Sequence, residues 1–477
     1  MRVCIVGGGF SGSLLCMELL RASPHLRISL IERRSRQLNR GVAYSARLSR
    51  QLLNVPAGRM GAFADDPEGF LRWARSGPAP GACPDDFLPR SMFGDFVHDR
   101  FHDLVDEHAG RVELIRANAV SLTQHAARGY SIRLHNGRHV AADVVVLALG
   151  NAPPGHVPNL APEAQAHPAY VAWPWQHGAL DRIGTHDPVL FVGSGLTMVD
   201  VLLSLAEQGH QGALTVLSRH GYLPRPHAEP QSWTFSTPVP AGGGLSVAEL
   251  TAFLRTEAAA AEQAGHPWQS VLDAAKPHVR SWWQGLALKE RQRFLRHMRP
   301  FWEVHRHRMP MEAHERLTEM QRSGRLRSLA ASVIGIQAAG DALEVTYRER
   351  GGTDLITERT LHVINCTGPQ TDARRMEQPL FHDLLRQGLA RWDELHIGLD
   401  CKPSGALLNA VGATSHGLYA IGPLCKSALW ECTAVPEIRA QAAALAATLS
   451  VAAGPAREDR PARKVFRPLD RLSINEA

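Results

Sequence analysis

Two glycine-rich loops are the parts of this sequence whose residue types and spacing most clearly indicate chemistry. The first loop follows an apolar run at residues 2–6 and supplies three spaced glycines, Gly7, Gly9 and Gly12. In the G-x-G-x-x-G pattern these glycines make a tight turn, admit a pyrophosphate to backbone N–H groups, and allow close helix–strand packing. The next apolar run ends at Glu32, 20 positions after Gly12, where a carboxylate can accept hydrogen bonds from ribose hydroxyls. Strand, loop, helix, strand and acid in this order predict a dinucleotide site.

The second loop follows another short apolar run, residues 188–192, and is less regular. It contains Gly193, Ser194 and Gly195, but Met198 stands where a third glycine is expected. The following strand, residues 214–217, ends in Ser218 and Arg219 and not in an acid. An arginine and a hydroxyl can hold a 2′-phosphate that an acid would repel, which favours NADPH over NADH. The alternative is a degenerate half-site that binds no nucleotide.

The two sites together predict how the chain is organised, with FAD at the acidic site and NADPH at the arginine site. The buried run at residues 143–150 ends in Gly150, the run at 362–369 ends in Gly368-Pro369, and the two mark crossings between domains. We therefore predict an α/β fold with two Rossmann-like dinucleotide-binding domains, a discontinuous FAD domain with an inserted NADPH domain, plus a helical insertion. The predicted bounds are 1–152 and 363–455 for the FAD domain, 153–243 and 326–362 for the NADPH domain, 244–325 for the helical insertion, and 456–477 for a basic tail.

Several further residues complete the predicted FAD site: Phe10, Ser11, Arg33, Val120, Gly150, Gly422 and Pro436. Pro423 follows Gly422 where many two-dinucleotide flavoproteins carry an aspartate on the ribitol, so another group must serve here. A helix predicted over residues 435–453 would direct its positive end at the flavin. Residues 111–115 and 130–134 alternate like two strands of one small sheet.

Composition limits the classes of partner. The formal charge of +6 over 477 residues suits anionic ligands, but the sequence has no dense basic stripe and predicts no nucleic-acid partner. No apolar run is long enough for a membrane helix, and no leader precedes the first strand. The seven cysteines are scattered without a CxxC pair, which predicts a reduced, cytoplasmic protein without disulfides and without a metal. The oligomeric state stays open.

Four segments, 41–45, 53–60, 301–310 and 422–439, carry a family resemblance. They resemble the FAD/NAD(P)-binding family that includes bacterial FAD-dependent urate hydroxylase and aspartate N-monooxygenase, which are class B monooxygenase-like flavoproteins. The resemblance implies that NADPH reduces FAD, and that O2 then forms a C4a-(hydro)peroxyflavin that oxygenates a small-molecule substrate. The helical insertion would shield such a flavin from water, and a purely structural lid is the alternative.

The same resemblance implies roles for individual residues. It places Asn54 near the isoalloxazine ring, as an FAD-binding and candidate catalytic residue; the alternative is a loop that only packs under the flavin. Trp302, Arg306 and Arg308 become candidate substrate residues. The two arginines could bind a substrate carboxylate or the NADPH phosphates, and a solvated helix surface is the alternative.

Three function classes compete. The leading one is an NADPH-using FAD monooxygenase acting on a small polar metabolite such as an amine or amino acid. The second is an NAD(P)H-dependent flavin oxidoreductase that passes electrons to a quinone or protein without oxygenation. The third is a non-enzymatic sensor or scaffold that keeps FAD as a structural element. Disulfide reductase is disfavoured because the nearest cysteine pair, Cys425 and Cys432, has neither CxxC nor CxxxxC spacing.

Overall fold

The structure is a computed structural model that describes residues 1–45, 51–125, 129–370 and 372–454. The predicted basic tail, 456–477, lies outside the described residues. Strands and helices alternate along most of the chain, as the α/β prediction requires.

The strands are, in chain order, β1 (Arg2–Val6), β2 (Arg27–Glu32), β3 (Val112–Arg116), β4 (Ala119–Gln124), β5 (Tyr130–Leu134), β6 (His139–Ala142), β7 (Val144–Leu147), β8 (Tyr170–Val171), β9 (Val189–Val192), β10 (Leu214–Ser218), β11 (Leu326–Ala339), β12 (Ala342–Glu349), β13 (Ile356–Thr360), β14 (His362–Asn365), β15 (Ala406–Leu408) and β16 (Thr414–Ala420).

The helices are α1 (Phe10–Ala22), α2 (Gly69–Arg75), α3 (Arg90–Glu107), α4 (Pro162–Gln165), α5 (Leu196–Glu207), α6 (Val247–Gln263), α7 (Trp268–Gly285), α8 (Leu288–Arg293), α9 (Arg299–Arg306), α10 (Met311–Arg322), α11 (Pro379–Arg386), α12 (Lys426–Leu429) and α13 (Val435–Ala453). A π-helical turn, Phe294–Met298, joins α8 to α9.

The first sheet carries the first glycine loop. Its six strands run in the order β15–β16–β7–β1–β2–β3, and all neighbours are parallel except β15 and β16. Apolar side chains of α1, α3 and α13 pack on one face of this sheet. A parallel sheet needs cover on both faces, which is why β1 and β7 are almost continuously apolar.

The second sheet carries the second glycine loop. Its seven strands run in the order β13–β12–β11–β10–β9–β14–β8, with β8, β14, β9, β10 and β11 parallel. Strand β14, residues 362–365, pairs with β9 and β8 and therefore belongs to the second sheet. The chain returns to the first sheet after Asn365. Two doubly wound sheets confirm the fold class predicted from the loops, while the domain bounds themselves stay a prediction.

The small antiparallel sheet corrects one expectation. It consists of β4, β5 and β6, as alternation at residues 130–134 indicated. Residues 112–116, however, pair in parallel with β2 and form the edge of the first sheet. Strand β3 is at the edge of the sheet, and Ile115 is its only buried residue. Its sequence therefore resembles that of a half-exposed antiparallel strand, which explains the wrong prediction.

Residues 244–325 are helical as predicted, since α6 to α10 occupy this insertion. A buried carboxylate fastens the preceding loop to it: Glu257 of α6 accepts hydrogen bonds from Trp233, Ser236 and Thr237. Burial acts to raise the pKa of Glu257, but these hydrogen bonds outweigh it and lower the pKa to about 2. The loop is therefore held on the insertion at every physiological pH.

Within the described ranges, no helix is long and apolar enough to cross a membrane. The same residues contain no group of three or more His, Cys, Asp or Glu side chains arranged to hold a metal ion.

Candidate functional site

The first glycine loop is held by contacts that leave no room for a side chain. A Cβ added to Gly12 would lie 1.9 Å from the Gly7 carbonyl oxygen, well inside van der Waals contact. Gly12 is the third glycine of the pattern and sits in the first turn of α1, where the helix meets the end of β1. The close approach is the packing role that the sequence assigned to it, and it directs the helix N-terminus at the loop.

Glu32 ends β2 beside this loop. Its Oε2 accepts a hydrogen bond from the Gly8 N–H at 2.9 Å, and its Oε1 accepts one from the Arg34 N–H at 2.9 Å. Each carboxylate oxygen can accept more than one hydrogen bond, so both retain capacity for ribose hydroxyls. Glu32 thus holds the glycine loop in place and still has acceptor capacity for a ligand.

A cavity of about 400 Å³ lies against the first glycine loop and the start of α5. Seven of the predicted FAD residues line it: Gly7, Gly9, Phe10, Ser11, Glu32, Arg33 and Gly150. Leu196 and Thr197, which open α5 directly after the second loop, line it as well, whereas none of the predicted NADPH residues does. The volume and the mixed polar and apolar lining fit part of a dinucleotide.

The other predicted FAD residues lie beside this cavity and do not line it. Val120 lies in β4, and its neighbours Ala117, Asn118 and Ala119 form the wall instead. The backbone N–H of Gly422 donates to Gln441 Oε1 at 3.0 Å, and Pro423 reaches the cavity in its place. Near Pro436, the residues that line it are Thr433 and Ile438, at the N-terminal end of α13.

Asn54 also stands outside the cavity wall. Its backbone carbonyl accepts a hydrogen bond from His227 Nε2 at 3.1 Å. Burial lowers the pKa of His227 to about 4, with Arg308 acting in the same direction, so this imidazole is neutral and donates to Asn54. The structure therefore gives Asn54 a backbone contact with the loop before the insertion, and its catalytic role stays a prediction.

Arg34 and Trp173 were not predicted, although both line the cavity. The Arg34 guanidinium lies 5.3 Å from the Trp173 ring centroid. Burial lowers the pKa of Arg34, and Arg33 adds to this effect. An arginine stacked on an indole beside Glu32 offers a flat cationic surface to an adenine or a phosphate. Trp173 gave no signal because it lies far from the first loop along the chain.

The second loop repeats the geometry of the first. Gly193 has φ +105°, and a Cβ there would lie 2.3 Å from the Cys366 carbonyl oxygen. Ser194 Oγ donates to the Tyr222 carbonyl at 2.6 Å, while Gly195 caps α5 and has nothing within 4 Å of an added Cβ. Met198, in place of the third glycine, is fully buried in the core under α5, so the helix accommodates it.

Basic groups surround the end of β10. The hydroxyl of Ser218 accepts a hydrogen bond from the Gly221 N–H at 3.1 Å, and Arg219 is exposed. Arg350 approaches from the end of β12: its Nη1 lies 3.5 Å from His220 Nδ1. Burial lowers the pKa of His220, and Arg350 and Arg219 lower it further. Among the described residues, neither arginine forms an ion pair with a carboxylate, so both are free to bind an anion.

A buried ion pair joins the two nucleotide-binding units. Arg90 of α3 lies 3.3 Å from Asp200 of α5, with side-chain exposures of 13% and 8%, and both residues line the cavity. Gln51 Nε2 donates to Ser204 Oγ at 3.1 Å nearby. Burial raises the pKa of Asp200 to about 6, although Arg90 opposes the shift. This contact couples α5, which starts at the second loop, to the first domain.

Asp200 makes stability depend on pH in a defined direction. The pKa of Asp200 is higher in the folded protein than the ordinary 3.8. The protonated side chain therefore stabilises the folded protein fully below pH 4, and this contribution is lost as the pH rises through about 6. Asp200→Asn cannot ionise. We therefore expect its free energy of unfolding, minus that of wild type, to increase by up to about 3 kcal/mol when the pH is raised from 4 to 7. Thermal unfolding at both pH values measures this. Asp341→Asn, at a carboxylate that is 79% exposed, is the control. A wild-type–variant difference that does not change with pH contradicts the assignment.

The predicted substrate arginines are neither free nor solvated. Arg306 donates to Glu437 at 2.9 Å and lies 3.6 Å from Glu431. Arg308 is 3% exposed and hydrogen-bonds Asp273. Trp302 donates from Nε1 to Glu431 at 3.0 Å. Arg306 and Trp302 thus connect the insertion to Glu431 and to Glu437 of α13, whereas Arg308 pairs within the insertion. Their placement favours a positioning role, and substrate binding stays a prediction.

Comparison with known proteins agrees with this geometry. Residues 4–152 match the family model described as FAD-NAD(P)-binding. The sequence matches none of the curated proteins with which it was compared. Solved structures, by contrast, match over nearly the whole chain.

Three of these structures are similar at low identity. The cadaverine monooxygenase DfoA of desferrioxamine biosynthesis, from Erwinia amylovora, is 11% identical with a TM-score of 0.65, covering 97% of this chain and 99% of its own. Ornithine hydroxylase PvdA from Pseudomonas aeruginosa is 13% identical with a TM-score of 0.64, covering 94% and 98%. L-lysine 6-monooxygenase from Pseudomonas syringae is 15% identical with a TM-score of 0.61, covering 95% and 99%.

This chain has the fold of a two-dinucleotide-domain flavoprotein. The family match assigns the FAD-NAD(P)-binding domain to residues 4–152, where Gly12 and Glu32 make the contacts described above. The second sheet, which carries Gly193 and is followed at the end of β10 by Arg219, is inserted in the chain between β7 and β15 of the first sheet.

Proposed function

We propose that this protein is an FAD-dependent, NADPH-using monooxygenase that oxygenates a small molecule, with N-hydroxylation of an amine as the leading reaction. The observation that carries the proposal is a cavity lined by the first glycine loop and by Leu196 and Thr197, which directly follow the second loop, because electron transfer between two nucleotides requires them to meet. Bound FAD would accept a hydride from NADPH and deliver electrons to O2. The balanced reaction is RNH2 + O2 + NADPH + H⁺ → RNHOH + NADP⁺ + H2O.

The residues present fit both nucleotides. For FAD, the chain offers the Gly12 helix start, the Glu32 carboxylate and the Arg34–Trp173 stack. For NADPH, Arg219 and Arg350 supply cations for a 2′-phosphate at the end of β10. These side chains would bind and orient the nucleotides, and the N-terminal end of α13, where Thr433 and Ile438 line the cavity, would favour negative charge on a bound group.

The substrate class rests on similarity of fold. The similar structures are described as acting on ornithine, lysine and cadaverine, which are all amines. For this chain an amine is therefore the first class to test. The proposal includes a cytoplasmic location, where NADPH is available and where thiols such as these seven unpaired cysteines stay reduced.

Transfer of electrons to a disulfide is disfavoured by the thiols themselves. Cys425 and Cys432 are both buried. Burial raises the pKa of the Cys432 thiol above its usual range, and the neighbouring Cys401 raises the pKa of Cys425. A reactive thiol needs a lowered pKa and access, and neither holds here.

Product coupling tests the proposed function. The FAD-loaded protein is given NADPH with a panel of amines, and NADPH loss, hydroxylamine and hydrogen peroxide are measured together. We expect at least one amine to convert most NADPH oxidation into hydroxylamine. NADPH oxidation that yields only peroxide for every amine, or anaerobic turnover with a quinone that exceeds any aerobic product formation, would support an oxidoreductase without oxygenation.

A further inference from the structure

A second cavity, which no nucleotide-binding residue lines, lies within the helical insertion. It measures about 310 Å³ and is bounded by α6, α7, the π-helical turn, α9 and Trp430. Its wall is almost entirely apolar and aromatic, with Trp268, Trp282, Trp283, Phe294, Trp302 and Trp430 as its rings. Aromatic walls of this kind bind flat apolar groups by burying area and by ring–ring contact.

Trp430 is the most constrained part of this wall. It is buried, and its φ of +58° lies in a region that bulky residues rarely adopt. Three neighbours hold it there: the Trp283 ring stacks on it at 4.9 Å, the Phe294 ring meets it edge-on at 5.0 Å, and Lys426 Nζ lies 4.7 Å from its centroid. Strain of this kind persists only where the surroundings fix it, and it is concentrated at functional sites.

The cavity is adjacent to the dinucleotide cavity. Trp430 lines the aromatic cavity, and Thr433, three residues later, lines the dinucleotide cavity. Between them, Glu431 accepts the hydrogen bond from Trp302. Burial acts to raise the pKa of Glu431, but Arg306 and His307 outweigh it and keep the carboxylate ionised. Residues 430–433 therefore connect the lining of the aromatic cavity to the lining of the dinucleotide cavity.

The wall composition selects against a linear diamine or amino acid. A carbon chain with a charge at each end must bury one charged end in an apolar wall if it enters this space, and burying an unpaired charge is costly. The charged residues on the lining, Arg255 and Glu262, are exposed and lie on α6 at the rim. A ligand with one apolar ring and a single charged end can bury the ring here and keep the charge outside the cavity.

We propose that the aromatic cavity binds the ring of the substrate, so that the amine oxygenated by this enzyme is an arylalkylamine. This inference rests on the proposed function. An engineered apolar cavity of about 150 Å³ binds benzene, so a space of this size accommodates a bicyclic ring such as indole. The amine would then extend past Trp430 toward the wall formed by Pro423, Thr433 and Ile438.

Two neighbouring alanines on α6 allow a matched test. Ala258 lines the cavity, so Ala258→Phe places a ring inside it; Ala259 is exposed, so Ala259→Phe adds the same ring outside. Titration calorimetry on the FAD-loaded protein compares tryptamine with cadaverine. We expect tryptamine to bind wild type and Ala259→Phe at least about tenfold more tightly than cadaverine, because ring burial adds apolar contact area. Ala258→Phe is expected to weaken tryptamine binding at least tenfold and to leave cadaverine binding unchanged.

The outcomes separate this inference from the proposed function. If cadaverine binds as tightly as tryptamine, or if Ala258→Phe retains FAD and binds tryptamine like wild type, the ring assignment is overturned. That result leaves oxygenation of another amine untouched. If tryptamine binds as expected while NADPH oxidation yields only peroxide, the ring site stands and the proposed function fails.

Discussion

Gly12→Ala is expected to bind FAD more weakly than wild type, because the FAD-binding loop conformation carries the cost of the added methyl group. The added Cβ would lie 1.9 Å from the Gly7 carbonyl oxygen, and both atoms belong to rigid backbone at the junction of β1 and α1. Either the helix moves away from the sheet or the loop is displaced from the pyrophosphate position. Overpacking of this kind costs about 1–3 kcal/mol, which corresponds to a loss of FAD affinity of about 5- to 150-fold.

Flavin content after gel filtration, with circular dichroism for folding, measures this effect. Gly195→Ala is the matched control, because an alanine there meets no atom within 4 Å and belongs to the other loop. We expect the control to keep its FAD. A folded Gly12→Ala protein with FAD affinity equal to wild type contradicts the assignment of the first site.

Arg219→Ala is expected to weaken NADPH binding by about 10- to 150-fold and to leave NADH binding nearly unchanged. A hydrogen bond to a charged group contributes about 1.5–3 kcal/mol, and only NADPH carries the 2′-phosphate. Arg350→Ala should act in the same direction, since Arg350 reaches the same place through His220. The double variant should prefer NADH.

Stopped-flow reduction of bound FAD by each nucleotide gives the dissociation constants. Arg359→Ala is the control, because this arginine lies on β13 of the same sheet and pairs with Asp341 at 2.7 Å. If both arginine variants bind NADPH like wild type, the phosphate lies elsewhere. If wild type prefers NADH, the cofactor assignment itself is wrong.

Local patterns predicted much of the fold. The strand, loop and helix at each glycine loop, and the helix over residues 435–453, follow from short-range periodicity, glycine spacing and breakers, and the structure has them where expected. Met198 departs from the glycine pattern without changing the local fold, because its side chain is buried in the apolar core.

Contacts between distant segments could not be predicted from the sequence. Arg350 joins Arg219 only because β10, β11 and β12 lie side by side, and nothing near residue 350 signals a phosphate. Likewise Arg90 meets Asp200, and Trp430 meets Trp283, across more than a hundred residues of chain. The prediction that residues 111–115 belong to the small antiparallel sheet was wrong, because alternation of polar and apolar residues indicates which side chains are buried and not which strand lies alongside.

The arginines of the insertion illustrate how composition can mislead. The stretch around residue 306 is rich in arginine and histidine, which suggested ligand contacts or a solvated helix face. Arg306 and Arg308 form ion pairs with Glu437 and Asp273 and have little exposed surface, which contradicts the solvated face and leaves substrate binding a prediction. Breaking a buried pair usually costs more than the pair contributes, so loss of activity in variants of these arginines would not by itself indicate substrate binding.

Oxygen labelling tests the central claim most directly. The FAD-loaded protein is reduced by NADPH without oxygen, monitored by the loss of oxidised-flavin absorbance, and then mixed with 18O2 and an arylalkylamine. We predict that NADPH bleaches the flavin and that one labelled oxygen atom appears in the hydroxylamine product. Flavin that NADPH cannot reduce, or label found only in hydrogen peroxide and water for every amine offered, would contradict it.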